Sequence, residues 1–268
     1  MTTRPLRRDI RLLVINPNSS QEMTDGMERA IRTLDLSPNV HITMYTAPPE
    51  SPPSINDEQD IALSDEFVIQ NLRETGILED YDGALVACYS VHWLVDGIAQ
   101  LAGHRLLVTG IFEASILTAL PLLRQRYTKP TGWGIVTTGK FWEDHLTVGV
   151  KEFVGQSRGD KNNLFFGVHS TGLDAADFHG DISPDLIRGR LKEATRQLLR
   201  EGPVQCVVLG CAGMSGLDEI VRSTIQEEYP RQQAESVYII DGVKAGIGIL
   251  EQMVKNKRMF KDSQLTAY

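Results

Sequence analysis

Short apolar, β-branched segments that stop abruptly at polar or glycine-rich residues are the feature that most constrains the fold of this chain. Residues 11–15 form one such segment and run into a turn at residues 16–20, and residues 83–87 form another that ends at residues 88–90. Segments of this length and composition are typical of buried strands. Because helical patterns separate them, the sequence predicts an α/β fold with parallel strands and helices on both faces of the sheet.

The same patterns predict further elements along the chain, from capping residues, hydrophobic periodicity and proline-rich breaks. We expect helices at residues 20–34, 57–78, 93–102 and from 241 to about 255, strands at residues 40–45 and 236–240, and a loop at residues 47–55. In the second half, strands are expected at residues 134–136 and 204–209, followed by polar or glycine-rich turns at residues 137–139 and 210–213.

The two halves of the chain share one arrangement of polar residues. Asn18 precedes Cys88 by 70 residues, and Thr138 precedes Cys211 by 73, so each half has a polar strand end followed by a cysteine at another strand end. This spacing indicates a diverged internal repeat. We therefore expect two pseudo-symmetric lobes, residues 1–120 plus 242–268 and residues 121–241, with the active site in the cleft between them because ligands bind beyond the carboxyl ends of parallel strands.

Cys88 and Cys211 are the candidate catalytic residues. If the lobes face each other, the two thiols reach one cleft from opposite sides, and racemisation needs a base on one face of a carbon and an acid on the other. A thiol suits either role because its reference pKa is near 8.5. We expect helix N-termini and exposed backbone N–H groups to lower the pKa of these thiols. Cys206 lies within an apolar strand and is interpreted as core.

Residues around the two cysteines are the candidate binding groups. Hydroxyl or amide donors aimed at a developing enolate oxygen would stabilise the transition state, although the same residue types often cap helices instead. The candidate substrate-binding residues are Asn18, Ser90, Val91, Thr137, Thr138, Ala212 and Gly213. His92 and Glu113 are candidates for supporting the site from behind, with purely structural roles as the alternative.

Composition excludes several classes of function. The formal net charge of -8 disfavours a nucleic-acid partner, which a basic surface would bind. No apolar run approaches the roughly 20 residues needed to cross a bilayer, so no membrane partner is expected. Three cysteines do not make a disulfide framework, which favours free thiols in the cytoplasm. Thiol chemistry needs neither a metal nor an organic cofactor, so none is expected.

An ordered set of motifs resembles the hydantoin and allantoin racemase branch of the Asp/Glu/hydantoin racemase superfamily, in its fungal form. The motifs are VINPNSS at residues 14–20, Ala87-Cys88, Glu113-Ala114-Ser115, and LGCAGM at residues 209–214. The resemblance implies two flavodoxin-like lobes, a two-base mechanism without cofactor, and small cyclic ureides such as allantoin or 5-substituted hydantoins as substrates. One departure is the turn after Cys88, where Val91-His92 replaces the aspartate that family members often carry.

Several alternatives share this fold. They are an aspartate or glutamate racemase, a maleate isomerase, and an arylmalonate-type decarboxylase, the last disfavoured because the resemblance gives it a single cysteine. An acidic substrate would favour a positively charged cleft, yet Lys140 is the nearest basic residue to the four loops. A small-molecule sensor without catalysis is the alternative of a different class. A homo-oligomer is expected because symmetric assemblies are common among soluble proteins.

Overall fold

The computed structural model describes residues 9–123, 130–178 and 182–261, in which strands and helices alternate. The strands are β1 Ile10–Asn16, β2 Val40–Thr46, β3 Gly83–Val86, β4 Leu107–Gly110, β5 Gly132–Thr137, β6 Phe165–Ser170, β7 Val204–Gly210 and β8 Tyr238–Asp241. The helices are α1 Gln21–Ile31, α2 Glu58–Thr75, α3 Leu94–Ala102, α4 Ile111–Ala119, α5 Phe141–Phe153, α6 Pro184–Arg200, α7 Asp218–Glu228, α8 Arg231–Glu235 and α9 Gly242–Phe260.

The strands form two parallel four-stranded sheets with the same topology. The first has the order β2-β1-β3-β4 and the second has the order β6-β5-β7-β8. In each sheet the second strand lies on one side of the first strand, and the third and fourth strands lie on the other side. The first and third strands are therefore neighbours at a topological switch point. The predicted fold of two α/β lobes, each a parallel sheet flanked by helices, is confirmed.

The switch points determine which loops meet. Ile15 pairs with Val86 across β1 and β3, so the turn after β1 and the loop after β3 leave the first sheet side by side. Thr137 pairs with Gly210 across β5 and β7, so the corresponding turns leave the second sheet side by side. Asn18 and Cys88 are therefore brought together in one lobe, and Thr138 and Cys211 in the other.

Helix ends differ from the sequence prediction where capping residues intervene. Helix α2 was expected to continue to residue 78, but it ends at Thr75 because Gly76 adopts a left-handed conformation with φ of 64° and caps the helix. The last helix extends beyond the expected residue 255, to Phe260. Strands β4 and β6 are additions to the sequence prediction, since their short or glycine-interrupted patterns carry little signal.

One continuous hydrophobic core joins the two sheets. It includes Leu85 and Phe112 of the first lobe together with Trp133 and Trp142 of the second. Helix α9, although last in the chain, packs against β3, β4 and α4. We propose residues 1–120 plus 242–268 and 121–241 as the two lobes; of these, residues 1–8, 124–129, 179–181 and 262–268 lie outside the described residues.

None of the helices in the described part of the chain combines the length and the apolarity that crossing a bilayer would require.

Candidate active site

A small cavity lies where the carboxyl ends of the two sheets face each other. Its volume is about 30 Å³, room for only one or two water molecules. It is lined by Asn18, Met23, Ile55, Ala87, Cys88, Tyr89, Thr138, Trp142, Ala175, Gly210, Cys211, Ala212 and Gly213. The cavity brings together six of the candidates from the sequence, which are Asn18, Cys88, Thr138, Cys211, Ala212 and Gly213.

Cys88 and Cys211 both line this cavity, one from each lobe. The Cys88 thiol accepts a hydrogen bond from the Ser90 hydroxyl at 3.5 Å. The Cys211 thiol accepts one from the backbone N–H of Gly213 at 3.3 Å. The charge of one thiolate raises the pKa of the other, because Cys211 contributes to the raised pKa of Cys88. Each thiol thus has its own donor, and the two interact electrostatically.

Burial controls the protonation of both thiols. It raises the pKa of Cys88 to about 12, opposed by the Ser90 hydrogen bond and assisted by the charges of Cys211 and Asp65. It raises the pKa of Cys211 to about 11, opposed by the N–H groups of Gly213 and Met214. Desolvation therefore favours the neutral thiol form of both cysteines near pH 7.

These pKa values correct the expectation that helix N-termini would lower them. The helix after Cys88 begins only at Leu94, so its N-terminus is too distant to act on the thiol. Cys211 caps a short 3-10 turn, Ala212–Met214, whose N–H groups do lower its pKa. Desolvation outweighs them because a buried thiolate loses its hydration. The expected donors exist at Cys211, but the net shift is upward.

The turn after β1 holds Asn18 in a fixed orientation. Its Oδ1 accepts hydrogen bonds from Asn16 Nδ2 and from the backbone N–H of Ser20, both at 3.0 Å. Its Nδ2 points the opposite way and donates to Met23 Sδ at 3.3 Å. A thioether is a weak acceptor, so a substrate oxygen can take this donor from the sulfur. Helix α1 is capped by Ser20, which leaves Asn18 free of the capping role.

Asn16 organises this turn from beneath. It is 1% exposed, its Nδ2 donates to Asn18 Oδ1 and Thr24 Oγ1, and its Oδ1 accepts from the backbone N–H of Asn18. Ser64 of α2 adds a hydrogen bond to the Pro17 carbonyl at 2.6 Å. Asn16 is a site-positioning residue that the sequence analysis did not single out, although it lies in the quoted motif.

We expect Asn16→Ala to lower the free energy of unfolding by about 2–4 kcal/mol, because it leaves buried partners without hydrogen bonds. Chemical denaturation measures the change. Asn256→Ala, at an exposed position of α9, is the matched control and should alter stability by less than about 0.5 kcal/mol. Equal, small effects in the two variants would contradict this role for Asn16.

The second lobe offers one hydroxyl to the cavity rather than two. Thr138 lines the cavity, and α5 begins without a side-chain cap, so Thr138 does not serve as one. Thr137 is fully buried, and its hydroxyl donates to the Gly210 carbonyl at 2.6 Å. The structure therefore does not bring Thr137 to the cavity, because its hydroxyl joins β5 to β7.

Besides Cys88, the loop after β3 contains three further candidates, and none of these three lines the cavity. Ser90 acts on the Cys88 thiol, as described above. Val91 points away from the cavity and contacts α5 at Gly149, so its predicted contact with substrate is not supported by its position. His92 Nδ1 lies 2.8 Å from Asp65 Oδ1 of α2. His92 Nδ1 also accepts a hydrogen bond from the Leu94 N–H at 3.4 Å, so its side chain lies between the loop and α2, in keeping with a supporting role.

Glu113 lies in the first turn of α4 and does not line the cavity. Burial raises the pKa of its carboxyl group, and its charge helps to raise the pKa of Tyr89, the residue next to Cys88. The supporting role predicted for Glu113 stays a prediction, with Tyr89 as the group on which its charge acts.

The remaining wall of the cavity is apolar and was not predicted. It is formed by Met23, Ile55, Tyr89, Trp142 and Ala175. No charged side chain is among the described residues that line the cavity. Apolar walls with a few fixed donors are typical of sites for small neutral molecules.

Cys206 does not line this cavity, and the structure shows no metal-binding cluster among the described residues. Cys206 is 0% exposed, lies in the core shared by both sheets, and its thiol faces the Ala119 carbonyl at 3.9 Å. Among the described residues, no group of three or more His, Cys, Asp or Glu side chains is arranged to hold a metal ion.

Comparisons with known proteins agree with this architecture. The family model described as Asp/Glu/Hydantoin racemase matches residues 12–250. An uncharacterized protein of Schizosaccharomyces pombe is 32% identical over 255 residues, covering 92% of each chain. A hydantoin racemase of Pseudomonas sp. strain NS671 is 26% identical, and the match covers 97% of this chain and 91% of that racemase.

A solved structure shares the fold. An allantoin racemase from Klebsiella pneumoniae superposes with a TM-score of 0.72 at 24% identity, covering 92% of this chain and 88% of its own. At that identity the likeness establishes the arrangement of two lobes and nothing further.

Proposed function

We propose that this chain, which belongs to the Asp/Glu/hydantoin racemase family and is an isomerase of the racemase type, racemises a small cyclic ureide. The proposed substrate is allantoin or a 5-substituted hydantoin, and the two proposed proton-transfer groups are Cys88 and Cys211. The observation that carries the proposal is that thiols from the two lobes line one uncharged cavity. The names of the hydantoin racemase relatives support the substrate class.

In the proposed reaction one thiolate removes the proton from the stereocentre and the opposite thiol returns a proton to the other face. The roles exchange with the handedness of the substrate. Cys211 is the thiol that ionises first, because the N–H groups of Gly213 and Met214 stabilise its charge, whereas Asp65 opposes ionisation of Cys88. Each direction of the reaction therefore starts with one thiolate facing one thiol, and the form with the Cys211 thiolate has the lower free energy.

Proton removal beside a carbonyl develops negative charge on the oxygen, which needs donors placed in advance. Asn18 Nδ2 is such a donor, since its only hydrogen bond within the described residues is to the Met23 sulfur. The Thr138 hydroxyl faces the same cavity from the other lobe. These two groups are proposed to hold the enolate oxygen.

The uncharged lining favours a neutral ring over an acidic amino acid. Aspartate or glutamate would bring two carboxylates and an ammonium group into a cavity whose described lining has no charged side chain. Transferring unpaired charges from water into such an environment is strongly unfavourable. This observation ranks the ureide proposal above the amino-acid racemase and maleate isomerase alternatives.

Substrate entry requires the cavity to open. Its volume of about 30 Å³ is far below the range of roughly 300–1,000 Å³ that is typical of ligand pockets. Ile55 and Ala175 approach each other from the two lobes, and the Ala175 N–H donates to Asn56 Oδ1 at 3.4 Å. We infer that this long hydrogen bond yields when substrate enters the cavity.

We expect Asn18→Ala to lower kcat/KM about 100-fold, the usual cost of one donor to a developing oxyanion. Asn18→Asp is the matched variant, because it keeps the Oδ1 acceptor that holds the turn but lacks the NH2 donor. Both variants should be impaired if Asn18 donates to the substrate. Activity retained by Asn18→Asp would mean that the residue only shapes the turn.

Hydrogen exchange in D₂O tests the proposed function. Protein-dependent deuterium incorporation at the stereocentre of allantoin or a 5-substituted hydantoin is expected, with none for aspartate or glutamate. Exchange confined to the acidic amino acids would overturn the substrate class. Binding without any exchange would favour the sensor. Cytoplasmic location and assembly into a homo-oligomer remain separate predictions.

A further inference from the structure

The loop that carries Cys88 rests directly on a helix of the other lobe. Residues 87–93 connect β3 to α3, and Val91 in this loop packs over Gly149 of α5. A Cβ atom at position 149 would lie 2.3 Å from Val91 Cγ2 and 3.1 Å from Phe112 Cζ. Real Cβ contacts are not this short, so any side chain at position 149 would require the Val91 side chain or α5 to shift.

Helix α5 links this contact to the opposite wall of the cavity. It follows Thr138 by three residues and carries Trp142, and both residues line the cavity. The position of α5 therefore fixes two groups of the second lobe together with the loop of the first. Only residues 89–91 separate Cys88 from the contact with Gly149, so a shift at Gly149 would displace this short segment and Cys88 with it.

The loop is held from its other side by its own lobe. His92, directly after Val91, has a side chain that is 1% exposed and pairs with Asp65 of α2 at 2.8 Å. Adjacent residues of the loop thus contact α2 and α5, so a displacement at one contact bears on the other.

We propose that Val91 and Gly149 are positioning residues, which set the Cys88 thiol against the second half of the site through their contact between the lobes. The inference rests on the proposed two-thiol function. It gives Val91 a role that differs from the substrate contact expected from the sequence. Misplacement of a reacting group by about 1 Å can cost about 100-fold in rate, so a contact of this kind matters for catalysis.

The test introduces the missing methyl group and then makes room for it. We expect Gly149→Ala to reduce kcat about 10- to 100-fold, with KM little changed because the cavity walls remain. Adding Val91→Ala removes the methyl groups that the new Cβ would meet, and the double variant should recover most of the lost activity. Gly189→Ala is the matched control, because Gly189 is an exposed helical glycine with open space at its Cβ position.

A second readout keeps the inference separable from the proposed function. Alkylation by iodoacetamide, followed for each cysteine by peptide mass spectrometry, needs no substrate. Gly149→Ala should change the labelling rate of Cys88 and leave that of Cys211 unaltered, with the double variant returning to the wild-type rate. Unchanged labelling and activity, or losses that the double variant does not rescue, would overturn the inference even if racemisation is established. Normal rescue of labelling without any racemisation would instead count against the proposed function alone.

Discussion

Cys88→Ser and Cys211→Ser are each expected to lower racemisation in both directions by at least about 100-fold, the contribution of a positioned acid or base. Serine keeps the size of the side chain but is far too weak an acid to supply a proton-transferring anion at neutral pH. Both thiols line the same cavity, and each direction of the reaction uses one as base and the other as acid. The measurement is the initial rate from each separate enantiomer.

The chain supplies its own control for these two variants. Cys206 is buried in β7, away from the cavity, so Cys206→Ala should keep its rate within about threefold even if it loses some stability. Circular dichroism spectra of all three variants establish that they are folded. Full activity of either serine variant would contradict the assignment of two bases.

The second large effect is expected from pH. Burial raises the pKa values of Cys88 to about 12 and of Cys211 to about 11, well above the ordinary range of a thiol. Catalysis needs one thiolate, and as long as the pH is below the thiol pKa the thiolate fraction increases tenfold for each unit of pH. We therefore expect kcat/KM to increase about 100-fold between pH 7 and pH 9. The increase should continue beyond pH 9.0, the point at which an unshifted thiol would begin to level off.

Rates are measured with a no-enzyme control at every pH, because base also accelerates spontaneous racemisation. A plateau reached near neutral pH would show that the base has a pKa near 7, well below the raised pKa values of both thiols. Such a profile would contradict the desolvated environment that the structure gives to Cys211 and Cys88.

The sequence was most informative at the ends of buried strands. The runs before Cys88 and Cys211 are short, apolar and β-branched, and these properties are local enough to be recognised directly. Since parallel strands present their carboxyl ends at one edge, placing Asn18, Thr138 and the cysteines in one cleft needed only the order of the elements. The internal repeat supplied the pairing of the two lobes.

Groups that reach the cavity from helices and loops could not be predicted in this way. Met23 and Trp142 have the same helical, apolar pattern whether they face a core or a cavity, and Ile55 and Ala175 meet only through the approach of the two lobes. Gly149 carries no sequence signal because its importance depends on Val91, 58 residues earlier in the chain. The thiol pKa values were misjudged because desolvation depends on packing, which the sequence does not reveal.

The most direct measurement is the time course of optical rotation for separate enantiomers of allantoin and of several 5-substituted hydantoins, each with the protein and without it. The account predicts that, for at least one compound, rotation decays to zero from both enantiomers faster than in the control. Decay at the control rate for every compound, together with acceleration for aspartate or glutamate, would contradict it.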